Sequence, residues 1–127
     1  MKILRICNDY RINRFITFLL FGIISYLSLS PNVYTPIIVK WQDKLEHIIA
    51  FVTLALFTCR SFSPTTSIDA KVTLAILIIV LYGSLNEILQ SFVPNRDPSL
   101  LDLIADIFGA FLGGMLFRSV PFLRDIK

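Results

Sequence analysis

Val72-Thr73-Leu74-Ala75-Ile76-Leu77-Ile78-Ile79-Val80-Leu81 decides how this chain folds. Apart from Thr73 every side chain in it is apolar, and no charge interrupts it. The segment from Val72 to Val93 has the length of about 20 residues that a helix needs to cross a bilayer. In lipid a lone segment satisfies its backbone groups only as a helix. The stretch therefore predicts a transmembrane helix, and the rest of the chain can be read outward from it.

Three further segments of comparable length follow the same rule: about Phe15 to Tyr34, Gln42 to Phe62 and Leu100 to Val120. The breaks between them carry turn chemistry. Pro31 and Pro36 close the first segment, Ser61-Phe62-Ser63-Pro64-Thr65-Thr66-Ser67 separates the second from the third, and Pro94-Asn95-Arg96-Asp97-Pro98-Ser99 separates the third from the fourth. Ser99 with Asp102 three residues on has the form of a helix N-terminus. Arg11 and Arg14 ahead of an apolar run, with Ser28-Leu29-Ser30 behind it, also resemble a signal peptide. The long basic region and Pro31 at the junction favour an uncleaved anchor.

Composition agrees. Of 127 residues, 55% are apolar and only 17% charged, and the mean hydropathy is +0.73. A soluble domain of this size exposes too much surface to carry that balance. The reading is an all-α integral membrane protein, a bundle of four transmembrane helices. It has a short N-terminal segment (1–14), one membrane domain (15–120) and a short tail (121–127).

Lys and Arg orient it. With the N-terminus in the cytoplasm, the inner side holds Lys2, Arg5, Arg11, Arg14, Arg60, Lys71, Arg118, Arg124 and Lys127, and the outer side only Lys40, Lys44 and Arg96. Both termini are then cytoplasmic. Cys7 and Cys59 fall on that reducing side, and two cysteines so far apart form no metal knuckle.

This topology gathers polar residues at one membrane face. The second segment opens with Asp43, Lys44, Glu46 and His47, the third ends with Asn86, Glu87 and Gln90, and the fourth opens with Asp102 and Asp106. Arg96 sits in the connection between the last two. Asp43 and His47 share a helix face, as do Asp102 and Asp106, and Gly109 and Gly113 continue that second stripe. Ionisable groups within a membrane helix face a bundle interior or a wet cavity. Glu87 and Asp106 each lie roughly 9 Å inside their helix ends, so the pair is expected to meet at the bottom of a funnel, with one of the two acids protonated at neutral pH or the pair sharing a proton or a metal ion.

The ordered set Asp43-Lys44-x-x-His47-x-x-x-Phe51, Glu87-x-x-Gln90, Arg96-x-x-Ser99-x-x-Asp102 and Gly109-x-x-x-Gly113 resembles the VanZ-like family over roughly Lys40 to Met115. The resemblance implies a multi-pass protein of a bacterial cytoplasmic membrane with a link to the cell envelope, since the family is named for a protein associated with teicoplanin resistance. It implies no established biochemical activity. It carries the family's characteristic positions onto Asp43, Lys44, His47, Glu87, Gln90, Arg96 and Asp102. The chain departs at Asp106, where the family usually has Asn.

Each feature has a plain reading beside its sharper one. Asp43, Lys44 and His47 suit an ordinary interfacial helix start, or His47 is a general base or ligand. Glu87 and Gln90 either tie helices together or line a site. Arg96 either offsets nearby carboxylates or grips a phosphate. Gly109 and Gly113 read as close packing within the bundle. His47, Glu87, Asp102 and Asp106 are suitable ligand types for a divalent ion, but no compact metal motif joins them. There is no phosphate loop, no His-Glu-x-x-His, no Ser elbow and no nucleotide or haem signature, so no cofactor is expected. The inner positive charge follows from topology and needs no nucleic acid. The expected partners are the bilayer and a phosphorylated lipid head group. Three functions fit: a head-group binding module with Lys44 and Arg96 on phosphate, a small membrane enzyme with His47 as acid or base, and a non-enzymatic structural subunit. Transport by four helices would require an oligomer, a state the sequence leaves open.

Overall fold

The computed structural model describes residues 8–31 and 40–124. Lys2, Arg5, Cys7, Tyr34, Pro36 and Lys127, invoked above, lie outside the described residues. The elements are α1 (Tyr10–Leu29), α2 (Gln42–Ser61), α3 (Ile68–Gln90), α4 (Leu100–Ser119) and a single turn, α5 (Pro121–Arg124). Among the described residues there is no strand.

Local chemistry sets the helix ends. The Asp9 carboxylate accepts the Arg11 N–H at 2.8 Å and starts α1. The Ser67 hydroxyl accepts from the Ala70 N–H and starts α3 four residues earlier than the apolar pattern predicts. The α3–α4 connection turns at Asn95, whose φ is 62°. Asn tolerates that left-handed geometry because its short polar side chain bonds locally.

The helices run up and down. Ser28 and Ser30 at the end of α1 meet Gln90 at the end of α3 and Arg96 just beyond it. Lys44 at the start of α2 meets Asp102 at the start of α4. At the opposite end, Arg14 of α1 reaches Ser61 of α2, and Asp69 of α3 pairs with Arg118 of α4. Thus α2 and α4 run against α1 and α3.

Helix α2 packs most extensively against α4 and also touches α1 and α3. Gly109 and Gly113 make the α2–α4 approach close. A Cβ on Gly109 would stand 2.8 Å from the Ile48 carbonyl oxygen, and one on Gly113 would stand 2.7 Å from that of Val52. The core has two parts. Phe51, Leu54, Ala55, Ile79 and Ala110 fill one, and Cys59, Val72, Ala75 and Phe117 the other. The outward faces carry Phe18, Leu81, Leu85, Phe92, Ile104 and Phe108, all exposed. An apolar exterior of this extent suits lipid as its solvent.

One expectation needs correction. Among the described residues three helices, not four, are long and apolar enough to cross a membrane by themselves: Tyr10–Leu29, Ile68–Gln90 and Leu100–Ser119. Helix α2 falls short because Asp43, Lys44 and Glu46 crowd its first turns and Arg60 sits near its end. It is held chiefly by its neighbours, whereas α1 is the least buried of the four long helices.

Candidate functional site

The polar residues of α2, α3 and α4 do gather at one end of the bundle, around a cavity of about 400 Å³. One wall is apolar, formed by Ile24 and Leu27 of α1 with Ala50 and Phe51 of α2. The other surfaces bring Ser28, Asp43, Glu46, His47, Gln90 and Asp102 together with Asn95, Arg96 and Asp97 of the α3–α4 connection. The cleft therefore lies between α1 and α2 and is closed on one side by that connection.

The deep acids do not meet as expected. Asp106, only 3% exposed, has its Oδ1 2.7 Å from Nδ1 of His47. The Glu87 carboxylate accepts the Ser99 N–H at 2.9 Å. No hydrogen bond joins Glu87 to Asp106. Geometry explains the difference. A Cβ on Gly83, one turn before Glu87, would fall 3.2 Å from Asp106 Oδ2, so Asp106 lies a turn below Glu87 along α3. At that depth the nearest ring is His47. Among the described residues no group of three or more His, Cys, Asp and Glu could hold a metal ion.

The expected start of α4 is also divided between helices. The Ser99 hydroxyl accepts the Asp102 N–H at 3.4 Å, as its spacing suggests. The reciprocal bond, from the Ser99 N–H, goes to Glu87 instead of Asp102. The Asp102 carboxylate is drawn to Lys44, whose ammonium also lies 2.7 Å from Asp43 Oδ2. Glu87 thus serves the positive N-terminus of a neighbouring helix, a favourable place for a carboxylate.

Among the described residues Arg96 is turned to backbone carbonyls rather than to these acids. Its guanidinium donates to the Leu27 and Ser30 carbonyls at 2.9 Å each, with a further bond from Nε to Ser30 at 3.1 Å. It caps the C-terminus of α1, where a helix leaves carbonyls unsatisfied and favours a cation. Gln90, buried, donates its amide to the Ser28 hydroxyl at 2.7 Å and to the Ser28 carbonyl at 3.1 Å.

Sequence reasoning missed the α1 side of the site. Ser28 and Ser30 resemble a signal-peptide junction, yet they receive Gln90 and Arg96. Tyr82 adds a third tie, donating to the Phe21 carbonyl at 2.8 Å with Ser25 Oγ 2.9 Å from its hydroxyl. Ser25 and Ser28, three residues apart on the largely apolar second half of α1, were the available signal.

A family model described as VanZ/LLP1 matches residues 5–123, nearly the whole chain. No curated protein and no solved structure matches.

Proposed function

The chain belongs to the VanZ/LLP1 family, and from that premise we propose that it crosses a bacterial cytoplasmic membrane four times and binds the head group of a lipid, or of a lipid-linked envelope precursor, in the cleft between α1 and α2. The cleft is the observation that carries this reading. It joins a polar floor to an apolar wall at one end of a bundle whose exterior is apolar, which is the form a head group with an attached chain requires.

Connectivity supports the fourth crossing. Helix α1 ends at the cleft, and α3 begins at the opposite end of the bundle. If α1 and α3 both cross, α2 must travel the full thickness between them, whatever its hydropathy. Its charged first turns then lie at the membrane surface with the cleft. The Lys and Arg bias puts that surface outside and both termini in the cytoplasm. Labelling of a cysteine placed at Asp97 from outside intact cells, but not of one at Thr65, is the expected result, and the reverse pattern would invert the topology.

The cations expected to hold phosphate, Lys44 and Arg96, are turned to protein groups, so shape supports this reading more than charge does. The competing reading, a cluster that only ties helices together, draws on the internal bonds of Glu87, Gln90 and Arg96. Filling the cleft separates the two, because Ala50→Phe adds volume and leaves every polar contact in place. Native mass spectrometry of the wild type purified with its lipids should show a defined lipid retained, and Ala50→Phe should lose it while melting at an unchanged temperature. Equal lipid retention by both proteins would remove the cleft as the site.

A further inference from the structure

The cleft's chemistry is narrower than its shape, and the following inference rests on the head-group reading. Asp43, Glu46, Asp97 and Asp102 line the cleft against Arg96 alone among cations. Lys44 and Arg96 face the protein. The Lys44 ammonium contacts Asp43 and Asp102, and the Arg96 guanidinium caps α1. A phosphate entering here would meet carboxylates with few donors turned toward it.

One ring stands apart from this pattern. His47 lines the cleft, its side chain 27% exposed, and rests on Asp106 beneath it. A carboxylate only accepts, so the ring proton sits on Nδ1 and donates to Asp106. When the ring is neutral, that leaves the lone pair on Nε2. Among the described residues Nε2 has no hydrogen-bond partner. The result is an oriented acceptor in an acid-lined cavity, with a buried carboxylate holding its tautomer.

We propose that the cleft selects a head group ending in a primary ammonium, that His47 Nε2 accepts one of its N–H bonds, and that Asp106 is the positioning residue holding the ring for this task. The surrounding carboxylates supply the opposing charge. The apolar wall of Ile24, Leu27, Ala50 and Phe51 takes the carbon skeleton. A quaternary ammonium has the same charge but no N–H to give, so the two should be told apart.

The chain contains one histidine, which makes the ring directly observable. The test uses ¹⁵N-histidine labelled protein in nanodiscs of phosphatidylglycerol doped with phosphatidylethanolamine or with phosphatidylcholine, and soluble phosphoethanolamine as a lipid-free source of the amine. Expected are an Nδ1–H tautomer, an Nε2 resonance that moves with phosphatidylethanolamine and not with phosphatidylcholine, and retention of the former by about tenfold or more in native mass spectrometry, the scale of one hydrogen bond to a charged group. Asp106→Asn can donate its amide to Nδ1 and so place the proton on Nε2. It should abolish both the shift and the preference. If that variant does not fold, the wild-type resonance alone still decides. A shift with soluble phosphoethanolamine equal to that with the lipid supports the ammonium site and makes its source the free amine. Lipid retained with no preference for the primary amine overturns this inference and leaves the head-group reading standing. No lipid retained in any nanodisc, with no movement of the ring, overturns both.

Discussion

The two ends of the bundle meet the same difficulty with opposite materials. Where α2 ends, the charged groups are mostly arginines, and they reach outward to finish helices. Arg14 donates to the Ser61 carbonyl at 3.2 Å, Arg60 to the Leu123 carbonyl at 3.2 Å, and Arg118 pairs with an exposed Asp69. Where α2 begins, the charged groups are mostly carboxylates, and two of them lie inside: Asp106 at 3% and Glu87 at 8% exposure. A long arginine lays its stem on apolar surface and keeps its head near water. A short Asp has no such reach, so a neighbouring helix must supply its partner. Cations at one end can therefore close the bundle, while acids at the other draw several helices around a shared polar space. That is the end with the means to build a site.

The seam shared by both ends is where the largest effect is expected. Gly113 faces the Val52 carbonyl and the Ala55 Cβ, each 2.7 Å from where its own Cβ would stand. Backbone cannot yield there as a flexible side chain would. Gly113→Leu should cost about 3 kcal/mol or more, read as loss of the folded fraction in a detergent–denaturant titration. It should loosen both ends together. A variant that stays folded and disturbs only the cleft would show that the two ends are not joined through the α2–α4 seam.

The next effect belongs to the cleft alone. Asp106→Ala removes the buried partner of His47 and leaves a small void beside Gly83. The expected cost is about 1–2 kcal/mol, near the upper range for interhelical polar contacts in membranes. Hydrogen exchange should quicken around residues 44–50 and 103–109 and stay unchanged around Arg60. Equal loosening at both ends would make Asp106 a general packing residue and dissolve the contrast.

Arg96 gives a smaller and more local effect. Arg96→Lys keeps the charge but gives up the fork that spans the Leu27 and Ser30 carbonyls. A loss of about 1 kcal/mol is expected, with faster exchange limited to the last turn of α1. If Arg96→Lys proves neutral, charge near the helix end is enough and the geometry of the fork is incidental.

The helices were legible in the sequence because apolar runs, prolines and capping serines are local signals. The gathering of polar residues at one end was legible too, since alternating helices bring every second connection to the same face. The pairing within the cluster was not. Whether Asp106 meets Glu87 or His47 depends on how far α4 sits against α2 and α3, and contacts at Gly83, Gly109 and Gly113 set that height. A residue's own helix says which face it occupies, not which level it shares with a neighbour. Arg96 was misread for a related reason. Its sequence neighbours are acids, but its spatial neighbours are the carbonyls of α1, more than sixty positions earlier in the chain. Helix α2 shows the limit of composition. Its charges lower its hydropathy, yet connectivity and packing decide where it runs.

The smallest effect offers the sharpest check on the contrast between the ends. Arg118 and Asp69 are joined at 3.1 Å, closely enough to count as an ion pair, and their side chains are 54% and 72% exposed. Exposed pairs gain little from Coulomb attraction and lose side-chain freedom in forming. Arg118→Ala should therefore change stability by less than about 0.5 kcal/mol, and raising salt should leave the wild type and the variant equally stable. The comparison with Asp106→Ala is informative because both substitutions break one charged contact between helices and differ in burial. If Arg118→Ala costs as much as Asp106→Ala, burial is not what separates the ends. The basic end would then be fastened as firmly as the acidic one, and the cleft would lose its standing as the part of the bundle where polar contacts carry the structure.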